Sequence, residues 1–435
     1  GVPDDRPQVS YPLTPDSVRE DDNVTHWNDI LADNEPIEDS PTRDADDLAI
    51  IVYTSGSTGR PKGVMHSFRT MGAAARGVIK ALGLGEERVL SYLPLAHVFE
   101  RFAIETMTLI LGGQVFFAES LDTFVQDLQR ARPTMFVSVP RLWLKFQQGV
   151  FKKMPPGRLD FLLKVPILNN VIRKKILTGL GLQDARLAVS GSAPIPPELI
   201  SWYKNLGLEL LEGYGMSENF CYSHISMPGR TRVGYVGNTY DDVDCKLSDE
   251  GEILVKGPAN MLGYYKRDDL TEETFTEDGY LKTGDRGEID SEGRLKITGR
   301  VKELFKTSKC QSGAPVPSES ILNGDNIVEL SCVSGSGQPK PYAVVQLSED
   351  LQGKIAQADV RSQVEKDLEA LLRRVNSEVE GFEQLGFIAV SKKAWTIEDG
   401  FLTPTMKIKR ATLEDEFGPH LDAWYKAGKK VIWQD

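Results

Sequence analysis

Cysteine and histidine are scarce: four and five residues in a chain of 435, with no Cys-x-x-Cys pair and no Cys/His spacing of the metal-binding kind. That argues against a zinc module or a disulfide framework and leaves the thiols reading as reduced and cytosolic. No uninterrupted apolar run reaches membrane-spanning length, since the nearest candidate, 102–118, is broken by Glu105 and Gly112-Gly113. A basic surplus is missing too. The net charge is −12, unsuited to a general nucleic-acid binder, which needs a positive face to neutralise phosphates. Neither a secretory signal nor a Walker A string, Gly-x-x-x-x-Gly-Lys-Ser/Thr, occurs. The expected location is cytoplasmic, with peripheral membrane contact as a further expectation.

What is present is a different phosphate loop. Thr54, Ser55, Gly56, Ser57, Thr58 and Gly59, followed by Arg60-Pro61-Lys62-Gly63, come straight after the apolar run Leu48–Tyr53. Small residues let backbone N–H groups approach phosphate oxygens, hydroxyls add hydrogen bonds, and Lys62 adds a point charge. A flexible Gly/Ser surface loop has a similar composition. The strand before it, the Pro-Lys-Gly exit and a helical pattern at Met71, Ala75, Val78, Ile79 and Leu82, closed by Gly83, favour an ordered ATP-handling loop.

Residues 1–45 read as an irregular lead-in. Strand candidates at 89–93, 115–117, 135–139, 187–190 and 208–212 then alternate with helices such as 121–131 and 197–206. This predicts α/β architecture: helix-covered, mostly parallel sheets in a large N-terminal domain. Beyond about Gly234, turns at Asp249–Glu252, Glu277–Tyr280 and Ser291–Arg294 separate β-rich segments, a small antiparallel β subdomain. Near Arg300 the texture changes again, and 360–380 is a strongly helical part of a smaller, mobile C-terminal α+β domain. The expected partition is 1–299, a hinge at 300–302, and 303–435. One stretch, 141–175, carries nine basic residues against the single Asp160, a local charge of +8 interleaved with Trp143, Phe146 and Phe161. It suits an anionic membrane or a polyanionic ligand, or equally a solvated face over core helices.

Four more clusters carry chemistry. Glu212-Gly213-Tyr214-Gly215-Met216-Ser217-Glu218 offers an aromatic for a flat base and a carboxylate suited to Mg²⁺. Leu281–Asp285 places an acid in a tight turn, where it could accept ribose hydroxyls. Thr298–Glu303 and Thr403–Arg410 complete the set.

Taken together and in order, the clusters resemble the adenylate-forming superfamily of acyl-CoA synthetases, luciferases and adenylation domains, over almost the whole chain. Tyr92–Arg101, the basic insertion before Leu187–Pro194, and the Thr-Pro-Thr-x-Lys ending are most similar to bacterial long-chain fatty acyl-CoA synthetases. The resemblance implies ATP-dependent ligation of a long- or medium-chain fatty acid to coenzyme A through an acyl-adenylate. It assigns phosphate binding to Thr54–Gly59 and Lys62. Gly191, Ser192 and Ala193 would line the adenine pocket beside Tyr214, Ser217 would meet the α-phosphate, and Glu218 would hold Mg²⁺. Asp285 and Arg300 would hold the ribose, Lys302 would be the hinge, and Lys407 would reach the α-phosphate. His97 would sit by the acyl carboxylate or serve as a core or capping histidine. Phe99, Phe102, Trp143 and Phe146 are candidates for an apolar tunnel wall or, equally, plain core aromatics. A homodimer is a further expectation.

Two departures stand out. The resemblance implies an α/β segment ahead of the phosphate loop, where this chain has almost none, so a fragment or processed product is expected. After Phe305–Lys309 the chain reads Cys310-Gln311-Ser312-Gly313, placing a side chain where the resemblance implies glycine beside the thiol channel, so adenylation is expected to survive better than thioester formation. Alternatives are an adenylating enzyme that loads a carrier protein and a non-catalytic nucleotide- or lipid-binding protein.

Overall fold

Apolar strands separated by amphipathic helices bury both faces of a sheet, and here strand alternation decides which aromatics share a core. The computed structural model describes residues 8–10, 24–36, 42–54, 61–120, 122–166, 168–308, 312–403 and 407–434. Strands Met135–Ser138, Leu187–Ser190 and Leu210–Tyr214 run parallel, with short antiparallel strands His224–Ile225 and Asn238–Thr239 extending the sheet. Met135, Val137, Leu187, Val189 and Leu211 join one core cluster with Phe99 and Phe102. Phe136, Ala188 and Leu210 face the other way, into a cluster with Trp143 and Phe146.

That alternation corrects one expectation. Trp143 and Phe146, on helix Pro140–Lys153, lie across the sheet from Phe99 and Phe102. Trp143 is fully buried, edge-on to Phe136 and Tyr203 at centroid distances of 5.2 and 5.0 Å.

Helix Phe68–Leu82 forms as its pattern predicts. A Ser67–Thr70 capping box opens it, and Gly83 closes it at φ 60°. Strands Asp244–Leu247, Glu252–Lys256, Leu281–Ile289 and Leu295–Arg300 form the antiparallel subdomain. Asp285, expected in a turn, sits within a strand instead: Leu281, Thr283, Asp285 and Gly287 are buried at every second position, and Gly284 takes a left-handed φ of 73° where the pairing with Glu252–Lys256 shifts register.

The C-terminal part has a sheet ordered Val328–Ser334, Tyr342–Leu347, Ile388–Val390, Val431–Trp433, antiparallel in its first pair and parallel in the others. Helix Ala358–Glu378 covers one face through Val364, Leu368 and Val375; helices Arg410–Phe417 and Leu421–Ala427 cover the other. Contacts divide the chain into 1–47 and 48–435. In the first unit, Gln8–Ser10 pairs in parallel with Val24–His26, and helix Trp27–Asp33 follows with His26 Nδ1 accepting from the Asn28 N–H at 3.3 Å. The expected irregular lead-in thus contains short elements, because His26 caps a segment whose Trp27, Ile30 and Leu31 recur at helical spacing. No helix among the described residues is long and apolar enough to cross a membrane.

Two buried histidines set an acid limit on this fold. Burial lowers the pKa of His66 to about 4, against a backbone hydrogen bond to Ser217 that raises it, and lowers that of His224 to about 3. Both rings are neutral when folded, so their contribution is fully present above pH 6.5 and is lost as pH falls toward 4 and 3. Urea denaturation is expected to show stability falling by up to roughly 1.4 kcal/mol per pH unit per histidine through this window. His224→Gln should flatten the slope; an unchanged slope would contradict the assignment.

Candidate functional site

The segment expected to grip phosphates joins two paired strands. Strands Leu48–Thr54 and Lys62–Ser67 pair antiparallel with Thr54 opposite Lys62, so the loop leads into a strand before the helix at Phe68. Ser55, Gly56, Ser57, Thr58 and Gly59 lie outside the described residues. Gly63 is required by packing, since a Cβ there would come within 2.8 Å of Ile51 Cγ2. A third strand, Gly263–Tyr264, adds to Lys62–Ser67 and brings the Tyr264 ring under the Lys62 ammonium, 5.0 Å from its centroid.

The same tyrosine reaches the second cluster. Its hydroxyl donates to Glu218 Oε1 at 2.7 Å, the Met261 N–H donates to the Glu218 carbonyl at 2.8 Å, and His66 Nε2 donates to the Ser217 carbonyl at 2.7 Å. Glu218 is buried in the short turn Ser217–Asn219 that follows strand Leu210–Tyr214. Gly215 permits that path: an added Cβ would lie 2.5 Å from the Cys221 carbonyl carbon. Phe220 and Cys221 then take left-handed φ values of 49° and 59°, and Ser192 takes 69°. For side chains other than glycine these conformations cost about 1–3 kcal/mol each, and such strain collects at functional sites.

A third group surrounds Asp285. This buried carboxylate accepts from the Tyr214 hydroxyl at 2.8 Å and faces Arg300 Nε at 3.1 Å, its partner across the strand pair. Burial raises its pKa, while Arg300, Tyr214 and Lys407 counter that rise. Lys407 stands in a tight reversal where the Thr403 N–H donates to the Lys407 carbonyl at 2.8 Å and Leu402 bridges Ile408. Its pKa is lowered by desolvation and then by Arg300, and supported by Asp285. Lys407 is exposed, so it is not sealed in a core. His97 feels the same charge: burial first, and Lys407 second, bring its pKa to about 4. The ring also caps helix Val98–Glu100, Nδ1 accepting from the Phe99 N–H at 3.2 Å.

Beyond Tyr214 lies a narrow apolar cavity of about 60 Å³. Phe99, Phe102, Met107 and Met135 line it, with Gly191, Ser192, Gly213 and Gly215 among its small and polar members. The cavity-side helix contains a π turn, Arg101–Thr106, a distortion common at functional sites. Ala193 is exposed, and Lys302 lies exposed in the turn Val301–Glu303. Glu212 is buried, which pushes its pKa up to about 8 and keeps the carboxyl largely protonated at pH 7. The structure thus brings Lys62 and Glu218 together through Tyr264, and Tyr214, Asp285 and Arg300 together directly, with Lys407 near enough to act on Asp285 and Arg300 electrostatically; Trp143 and Phe146 join neither group. Tyr264, His66 and Met135 were not legible as site residues. Each acts across the fold, and the one local hint was the Gly263-Tyr264-Tyr265 string.

A family model described as AMP-binding enzyme matches residues 3–265, and one described as AMP-binding enzyme C-terminal domain matches 306–429. A long-chain-fatty-acid–CoA ligase of Mycobacterium bovis is 30% identical over 424 residues, 87% of this chain and 69% of the relative. Long chain acyl-CoA synthetase 4 of Arabidopsis thaliana is 30% identical over 460 residues, 92% of this chain and 68% of the relative. Among solved structures, the adenylation domain of a carboxylate reductase from Mycobacterium chelonae has a TM-score of 0.75 at 25% identity, covering 93% of this chain and 64% of that one. This chain thus spans about two thirds of the length of these proteins. With a hairpin lysine, a buried Tyr214–Asp285–Arg300 group and a family match across most of its length, the chain belongs to the AMP-binding enzyme family.

Proposed function

We propose that this chain is an ATP-dependent ligase that joins a long- or medium-chain fatty acid to coenzyme A through an acyl-adenylate, releasing pyrophosphate and then AMP. The observation that carries this reading is the buried Tyr214–Asp285–Arg300 group beside an apolar cavity, with the C-terminal lysine, Lys407, acting electrostatically on Asp285, Arg300 and His97. In the first step a carboxylate oxygen attacks the α-phosphorus and the bond to pyrophosphate breaks. Two anions must approach, so the barrier is largely electrostatic, and a cation fixed at the developing charge lowers it. Lys407 supplies that cation, Lys62 and the hairpin tip hold the phosphates, and Asp285 with Arg300 holds the ribose. The Phe99 N–H occupies His97 Nδ1, so the neutral ring carries its proton on Nε2, ready to donate to a carboxylate oxygen.

Magnesium is part of the proposal. The described residues contain no cluster of three metal-ligating side chains, but Mg²⁺ on nucleotide phosphates takes only one or two carboxylates. Glu218 fits, with Tyr264 fixing one carboxylate oxygen. When bound, the ion would neutralise phosphate charge.

For the second step, a thiol attacks the acyl carbonyl and AMP leaves. Lys407 is not needed there, so a rotation about Lys302 would withdraw it. The family models, ending at 265 and resuming at 306, support domains at 1–299 and 303–435 flanking a 300–302 hinge. The names of the relatives support coenzyme A as acceptor. Membrane contact through the 141–175 segment rests on its charge, and a homodimer on the exposed Leu109 and Phe117.

The cavity is smaller than any long acyl chain, so the chain must widen it, and Met107 and Met135 are side chains able to yield. Val189→Phe is expected to cut kcat/KM for a long acid at least about tenfold relative to a short one. Trp143→Phe should leave that ratio unchanged while lowering Tm; the opposite pattern would return Trp143 to the tunnel. Exchange of labelled pyrophosphate into ATP should require fatty acid and fall about a hundredfold or more in Lys407→Ala. Exchange independent of either would contradict the proposal.

A further inference from the structure

Within the basic segment, charge and exposure separate. Arg141 and Lys152, on helix Pro140–Lys153, are tied to carboxylates of the C-terminal part, Arg141 to Glu329 at 2.5 Å and Lys152 to Asp350 at 2.7 Å. The next two helices, Pro156–Lys164 and Leu168–Gly179, pack on each other as a hairpin and bury little. Leu159 is the buried anchor of the first, and no residue of the second is buried; Leu163, Ile172 and Ile176 rest against the core cluster below.

The outward side combines apolar and basic residues. Phe161 is 68% exposed, Val171 58% and Leu168 37%. On the first helix Arg158, Phe161 and Lys164 follow at three-residue spacing, all exposed. On the second, Leu168, Val171, Lys174 and Lys175 share about a third of the helical circumference, and all are exposed. Among the described residues no base of the hairpin forms an ion pair, and residues 156–179 hold five bases against Asp160, a charge of +4 within a chain of −12. A solvated face over a core would show the bases without the phenylalanine, leucine and valine between them. A protein partner recognised by charge alone would leave those apolar side chains unused.

We infer that the 156–179 hairpin is a docking surface for an anionic lipid bilayer, with Phe161, Leu168 and Val171 entering the headgroup layer and Arg158, Lys164, Lys174 and Lys175 meeting lipid phosphates. This narrows the membrane contact proposed above to one element, and it leaves Arg141 and Lys152 to hold the C-terminal part. Binding of this kind is reversible and salt-sensitive, because it rests on a few charges and a shallow apolar insertion.

The test is co-sedimentation of the full chain, without ATP, with phosphatidylcholine vesicles and with vesicles containing about 30% phosphatidylglycerol. Binding is expected only to the anionic vesicles, and to be lost when salt is raised from about 0.05 M to about 0.5 M. Lys174→Glu with Lys175→Glu, and separately Phe161→Ser with Val171→Ser, should each weaken binding at least about tenfold. Tm and pyrophosphate exchange with a short, water-soluble acid should stay unchanged in both variants, confirming that they fold. No binding to anionic vesicles, equal binding to neutral ones, or full binding by both variants would overturn the inference. So would a dimer split by these substitutions without any vesicle binding, which would give the surface to a second copy. Because vesicle binding is read without nucleotide, failure of the ligase proposal and failure of this one remain distinguishable.

Discussion

Asp285 is a carboxylate placed where carboxylates are costly, and the arrangement around it organises the rest of the site. Burial alone favours its neutral form. The Tyr214 hydroxyl, the Arg300 guanidinium and the Lys407 ammonium each offset that cost, and they arrive from different segments: a strand of the central sheet, the neighbouring strand of the antiparallel subdomain, and the C-terminal reversal. The compensation is incomplete, since the pKa remains raised, and a group in that condition gains from further hydrogen-bond donors such as the hydroxyls of a sugar. Desolvation first, and then a second cation, Arg300, make the position of Lys407 unfavourable, while Asp285 makes it tenable. Such a balance suits the proposed arrival of Lys407 for one step and its withdrawal for the next.

Around this centre the backbone is bent in ways that side chains normally resist. Ser192, Phe220 and Cys221 are three of the five left-handed residues other than glycine among those described, and Ser192 and Cys221 line the cavity. Gly215 lets the chain pass against Cys221. The strain is held by ordinary means: Asn219 Oδ1 accepts from the Met216 N–H at 2.9 Å, and the Cys221 N–H donates to the Met216 carbonyl at 3.0 Å. Glu218 is presented on this constrained turn, and Tyr264 fixes it against the strand that carries Lys62.

Much of this was legible in the residues because it is local. The helix ending at Gly83, the strands at 135–138 and 187–190, the antiparallel texture after Gly234 and the helix at 358–378 follow from periodicity and turn residues that sit next to one another. The misplacements are non-local. Trp143 and Phe146 have the right chemistry for a tunnel, but the pleat of strand Met135–Ser138 turns Phe136 toward them and Val137 toward the cavity. Asp285 follows a glycine, which reads as a turn until its neighbours' alternate burial shows a strand. Tyr264 and His66 reach partners 46 and 151 positions away, separations no local pattern encodes.

The central claim is that Lys407 and Lys62 face the phosphates of one nucleotide. An acyl-phosphate derivative of ATP, which acylates lysines lying beside its phosphates, followed by peptide mass spectrometry, tests it directly. The account predicts labelling at Lys407 and Lys62, suppressed by unmodified ATP. Competable labelling confined to other lysines, with both of these untouched, would contradict it.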